Sequence, residues 1–174
     1  MADAVERPAF TLPRVPQPFA HPVQCLILAC GNTLRGDDGV GPRLAAWAEE
    51  RFEAVPAVRV LSRQQWTPDL AEDVAQAESV VFIDCSVESS PGEVNVHPVE
   101  PAAAGPGLAS HHVGAAELLA LGQELYDSLP RNAVLLTVGA GATELGETFS
   151  TPVNDALAEA CDLLERTVRG WIAL

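Results

Sequence analysis

Apolar positions along the chain fall into short unbroken runs that alternate with longer periodic stretches. Val23 to Ala29 (VQCLILA) is apolar almost without interruption and leads into a glycine-containing loop, the pattern of a parallel strand buried on both faces. Val58 to Ser62, Ser79 to Asp84 and Ala133 to Val138 read as further strands, the last followed by Gly139-Ala140-Gly141. Glu93 to Pro98 differs. It alternates with period two after the turn Ser90-Pro91-Gly92, which predicts a fourth strand with one wet face, antiparallel to its neighbours. Helices are predicted between the strands. One starts near Val40 with Pro42 in its first turn, and one runs from Thr67-Pro68 to about Ala77. A third spans Val113 to Leu129 and stops at Pro130; a fourth opens at Thr151-Pro152 and stops at Gly170. In the fourth, Val153, Ala156, Leu157, Ala160, Leu164 and Val168 form one apolar stripe. Such alternation predicts an α/β fold, a three-layer α/β/α sandwich around a mostly parallel sheet.

Length sharpens this picture: 174 residues with 48% apolar content suit one core, so 22–174 is predicted to be a single domain. Residues 1–21 carry four prolines and no apolar run of a secretory signal, and read as a flexible extension. Val99 to Ala109, rich in Pro, Ala and Gly, is predicted to be a mobile loop. Charge then excludes partners. Ten basic residues face 24 acidic ones, a net charge of −14, which disfavours nucleic acid and anionic membrane surfaces. No apolar stretch approaches the ~20 residues of a membrane span. All ten basic residues are Arg, and the absence of Lys removes Schiff-base chemistry and the phosphate-loop lysine. Cys25, Cys30, Cys85 and Cys161 form no C-x-x-C pair and read as free thiols of a cytoplasmic protein.

In open α/β sheets, sites form beyond the carboxyl ends of the strands. After the first strand come Gly31, Asn32 and then Gly36-Asp37-Asp38-Gly39; the third ends at Asp84-Cys85-Ser86. Ser110-His111-His112 precede the third helix. Two carboxylates and a histidine can bind a borderline divalent metal such as Zn, Ni or Mn, or can activate a water by general base catalysis. Each residue also has a plainer reading. Asp37 and Asp38 can cap the helix that comes after them, Asp84 can be a turn former, and the two histidines can be surface residues. Cys85 can be a nucleophile beside His111, or a small buried hydrophobe.

The run G-N-T-L-R-G-D-D-G-V-G (Gly31 to Gly41) resembles the opening signature of the [NiFe]-hydrogenase maturation proteases. V-V-F-I-D-C (Val80 to Cys85) with the later P-G-x-V (Pro91 to Val94) resembles their second acidic motif, and S-H-H-V-G (Ser110 to Gly114) their histidine motif. The likeness spans about Val23 to Arg169. It implies a twisted five-stranded sheet whose fourth strand is antiparallel. It also implies an endopeptidase that removes the C-terminal extension of a hydrogenase large-subunit precursor once nickel has been inserted. Asp38, Asp84 and His111 match the family's metal-contacting positions, with His112 a second candidate for the histidine. Gly31, Asn32, Asp37 and Gly39 belong to the same loop.

On this reading Asp38, Asp84 and one histidine meet in one cleft and engage the substrate's own nickel. No metal is then permanently bound, and Zn or Cd can replace nickel in a crystal. Whether an aspartate or the metal activates the water stays open, so the class is aspartic-type or metal-assisted. The partner is the precursor and the enzyme is expected to be a monomer. Two other readings remain: a non-catalytic nickel-dependent chaperone of the large-subunit tail, and a small-molecule hydrolase on the same fold.

Overall fold

The computed structural model describes residues 23–103 and 113–172. The extension at 1–21, residues 104–109 of the loop, and Ser110, His111 and His112 lie outside the described residues. Five strands, β1 (Val23–Cys30), β2 (Val58–Arg63), β3 (Ala77–Ser86), β4 (Val94–Pro98) and β5 (Asn132–Gly139), form one sheet in the order β2-β1-β3-β5-β4. All neighbours are parallel except β4, which runs antiparallel to β5. The helices are α1 (Val40–Arg51), α2 (Ala71–Gln76), α3 (Ala115–Tyr126) and α4 (Thr151–Trp171).

The central strands are apolar throughout because both faces are covered. Successive side chains alternate between two cores. Ile27, Val81 and Leu136 pack under α1 and α4, against Leu44, Val153 and Leu164. Leu26, Leu28 and Phe82 pack under α2 and α3, against Leu70, Val74 and Leu118. The predicted three-layer α/β/α sandwich with an antiparallel fourth strand is the observed architecture. Among the described residues no helix is long and apolar enough to cross a membrane.

Element ends differ in three places. Pro68 opens a 3-10 turn (Pro68–Leu70), and regular helix starts only at Ala71. The third helix ends at Tyr126 rather than Leu129, because Asp127 adopts a left-handed conformation (φ 51°) and its N–H bonds back to the Gln123 carbonyl. The fourth helix runs through Gly170, which does not take the positive φ of a helix stop. Ile172, one turn beyond Val168 and also buried, extends the apolar stripe and draws the helix on.

The four parallel strands all end at one edge, so the loops after β1, β2, β3 and β5 meet there. Integrity of that edge rests on the two cores beneath it. Leu164→Ala in α4 removes a fully buried side chain and is expected to cost about 2–5 kcal/mol. The check is a lower urea midpoint with an unchanged denaturant slope.

Candidate active site

Two close approaches deliver Asp38 to the end of β1. Gly31 sits at φ 140°, and a Cβ on it would lie 2.0 Å from the Asp38 carbonyl oxygen. A Cβ on Gly41 would lie 2.1 Å from the Cys30 carbonyl oxygen. Only glycine lets the loop fold back so tightly that the start of α1 touches the strand before it. Asp38 lies in a 3-10 turn (Gly36–Gly39) just before α1. Its Oδ2 accepts the Asn32 N–H at 3.0 Å, and Asn32 Oδ1 accepts the Leu34 N–H at 2.9 Å. No side-chain cap is made to the turn or to α1, so neither aspartate acts as a helix cap.

Asp37 has a different role from its neighbour. Its side chain is fully buried. Its Oδ2 accepts the N–H groups of Gly141 (2.7 Å) and Ala142 (2.8 Å), and its Oδ1 accepts that of Ser150 (2.7 Å). The Asp37 N–H donates in turn to the Ala142 carbonyl at 2.9 Å. Burial alone would raise its pKa, but the hydrogen bonds from Ser150, Ala142 and Gly141 outweigh it and hold the carboxyl below the ordinary value. Asp37 therefore ties the Asp38 turn to the loop between β5 and α4. Gly39 lies on the same side, where an added Cβ would stand 3.6 Å from the Phe149 ring.

Asp84 stands near the end of β3, beside β1. Its Oδ1 accepts the Cys85 N–H at 2.7 Å, and the Cys30 thiol also donates to the carboxylate. Burial raises its pKa, the bonds from Cys30 and Cys85 oppose that rise, and the charge of Asp38 adds to it. Burial, with the nearby carboxylates Asp38 and Asp84, pushes the Cys85 thiol up to about 12. At neutral pH Cys85 is thus a thiol and a poor nucleophile.

Asp38 and Asp84 line one cleft of about 440 Å³ together with Cys30 and Gly31. Gln64, Gln65 and Trp66, from the chain leaving β2, form a second wall. Val113, Gly114 and Glu117, at the start of α3, form the third. Glu117 Oε2 accepts the Gly114 N–H at 3.1 Å, which shapes the entry to that helix. Val113 is the next residue after His112 in the chain. Among the described residues no three His, Cys, Asp or Glu side chains are gathered as a metal site. The two described members of the predicted triad therefore share the cleft, and the histidine position lies outside the described residues.

Solved structures with this fold carry one description repeatedly. A [NiFe] hydrogenase maturation protease from Thermococcus kodakarensis is 27% identical, with a TM-score of 0.63 over 83% of this chain and 98% of that one. The hydrogenase-maturating endopeptidase HybD of E. coli is 19% identical, with a TM-score of 0.67 over 84% and 93%. The chain has the fold of the [NiFe]-hydrogenase maturation proteases. The likeness read from its three motifs is borne out by these neighbours. No sequence-family profile matches the chain, and no curated protein sequence matches it significantly.

Gln64, Gln65, Trp66 and Glu117 line the cleft without having been singled out from sequence. The two aspartates stand out because Asp84 lies near the end of β3 and Asp38 in the loop after β1, while the residues just past β2 are Gln64, Gln65 and Trp66. Glu117 carries no such signal, since it looks like any first-turn helix acid.

Asp37→Asn is expected to destabilise the fold by about 2–4 kcal/mol, because an amide cannot accept all three N–H bonds and leaves buried donors unmade. The wild-type contribution is complete above the ordinary aspartate value of 3.8 and is lost as pH falls through the lower folded value. Denaturation of both proteins at pH 7, 4 and 3 is the check. The gap between them should narrow at the lowest pH.

Proposed function

We propose that this protein is an endopeptidase that removes the C-terminal extension of a [NiFe]-hydrogenase large-subunit precursor after nickel insertion, with the bound nickel as its recognition element. The observation that carries the reading is the meeting of Asp38 and Asp84, from two adjacent strand ends, in one peptide-sized cleft. Solved neighbours described as hydrogenase maturation endopeptidases support it.

In this mechanism Asp38, Asp84 and His111 engage the nickel already held by the precursor, which aligns the tail across the cleft. His111, or His112 beside it, is assigned the imidazole role from the S-H-H-V-G motif, which runs directly into the cleft-lining Val113 in the chain. A water oxygen attacks the carbonyl carbon of the scissile amide while a carboxylate takes the water's proton. The C–N bond then breaks, and the proton passes to the leaving amine. No protein-bound nucleophile is needed, in keeping with the protonated state of Cys85. Because the nickel belongs to the substrate, a precursor without it is held poorly and escapes cleavage, a selection by differential binding. The enzyme needs no metal of its own.

Asp38→Asn and Asp84→Asn are each expected to slow processing by at least about 100-fold, the usual scale for losing an acid–base group. Nickel-loaded precursor should lose its tail with the wild-type protein on a denaturing gel and keep it with either variant. Nickel-free precursor should stay whole with all three. Processing at wild-type rate by either variant would remove the assigned role, and stable binding without shortening by the wild type would identify a chaperone.

A further inference from the structure

The wall of the cleft formed by Gln64, Gln65 and Trp66 has its own chemistry. β2 is one of the two edge strands of the sheet and, among the described residues, pairs with β1 alone. Where it ends, the Arg63 carbonyl accepts the N–H of the cleft residue Gly31 at 3.1 Å, so the chain leaving β2 is pinned to the Asp38 loop. Gln64 and Gln65 come directly after. Both are exposed, and among the described residues their carboxamides make no hydrogen bond. Trp66 is only 8% exposed and packs edge-on against the Phe82 ring, with centroids 5.4 Å apart. Its indole N–H is nonetheless buried without an acceptor among the described residues. Shielded from solvent in this way, Trp66 backs the wall by packing, and the accessible donors beside it are the two carboxamides.

The remaining polar side chains of the cleft decide what that ligand is. Asp38, Asp84 and Glu117 are carboxylates, and when ionised they accept hydrogen bonds but cannot donate. Among the described residues no arginine lines the cleft. Among the described lining residues, Gln64 and Gln65 are the ones whose side chains offer accessible N–H donors to an incoming carbonyl oxygen. A carboxamide also accepts, so each glutamine matches both halves of a peptide group. The three carboxylates repel an acidic segment and favour a neutral or cationic one.

We infer that Gln64 and Gln65, backed by the packed Trp66 ring, form a main-chain clamp that holds an extended, neutral or cationic peptide segment beside Asp38 and Asp84. The clamp rests on the endopeptidase reading and specifies the substrate's chemical class. It recognises backbone amides, so it positions the tail without reading its side chains. These are positioning residues, and losing them weakens binding of substrate and transition state alike, which raises KM and leaves kcat in place.

The test uses nickel-loaded large-subunit precursor in two arms. In the first, KM and kcat are measured for the wild type, Gln64→Ala/Gln65→Ala and Trp66→Phe. The double variant should raise KM about 10-fold or more with kcat held and its pH profile unmoved, the scale of one or two lost hydrogen bonds. Trp66→Phe keeps the ring against Phe82 and removes only the N–H. It should leave KM near the wild-type value, with a thermal midpoint equal to or above wild type because the orphaned donor is gone. In the second arm, dissociation constants for the uncut precursor are measured in an Asp38→Asn background. Unchanged KM and unchanged binding in the double variant would overturn the clamp, as would a fall in kcat at constant KM. Weaker binding in the double variant, even where the wild type cuts nothing, keeps the clamp and rejects the endopeptidase reading alone. Should Trp66→Phe fail to fold, the glutamine pair decides the matter.

Discussion

The buried carboxylate of Asp37 is the constraint on which the rest of the site depends. It collects three backbone N–H groups from residues more than a hundred positions later in the chain. Those donors belong to the loop after β5 and to Ser150, the residue just before α4, and both would otherwise end in unpaired backbone groups. A single side chain thereby welds the Asp38 turn to the far half of the molecule. An ionised group is tolerated without solvent here because every bond it makes comes from a donor that itself needs an acceptor. Close backbone contact at Gly31 and Gly41 completes the same joint from the β1 side.

With that joint closed, topology dictates where the reactive groups lie. Asp38 and Asp84 come from the ends of adjacent parallel strands, so the sheet brings them to one edge whatever their separation in sequence. The cleft they share is acidic and contains no described cation. It therefore suits a substrate that carries positive charge with it, such as a metal already bound by a protein. The exposed Gln64 and Gln65 carboxamides supply donors that the carboxylates lack. Acceptors meet the charge and donors meet the peptide, and this division of labour suits the site physically to amide hydrolysis.

Much of the fold was legible along the chain because strands buried on both faces leave unbroken apolar runs, as in VQCLILA and SVVFID. The antiparallel β4 was legible for the opposite reason, its period-two alternation. Helix ends were less so. Gly170 looked like a stop, but burial of Ile172 outweighed the local signal and carried α4 onward. Tyr126 closes α3 because Asp127 turns left-handed, a local hydrogen-bonding choice that competes with the more visible Pro130. Asp84 and the Asp37-Asp38 pair were found from their positions near and beyond strand ends, with Asp38 chosen from the pair by the family resemblance. Gln64, Gln65 and Trp66 were not, since an exposed Gln-Gln pair is indistinguishable from an ordinary loop until a cleft is seen beside it.

The order of strands and helices, the layered architecture and the two strand-end aspartates are properties of the chain alone, since periodicity and apolar runs are local. What each member of the Asp37-Asp38 pair does is not local. The two residues are chemically identical neighbours in one 3-10 turn, and nothing between Gly31 and Gly41 says which will be buried. Only the folded molecule decides, because three N–H groups from Gly141, Ala142 and Ser150 converge on Asp37, whereas Asp38 accepts the single N–H of nearby Asn32. One aspartate is consumed by the fold, and its neighbour is left facing the cleft.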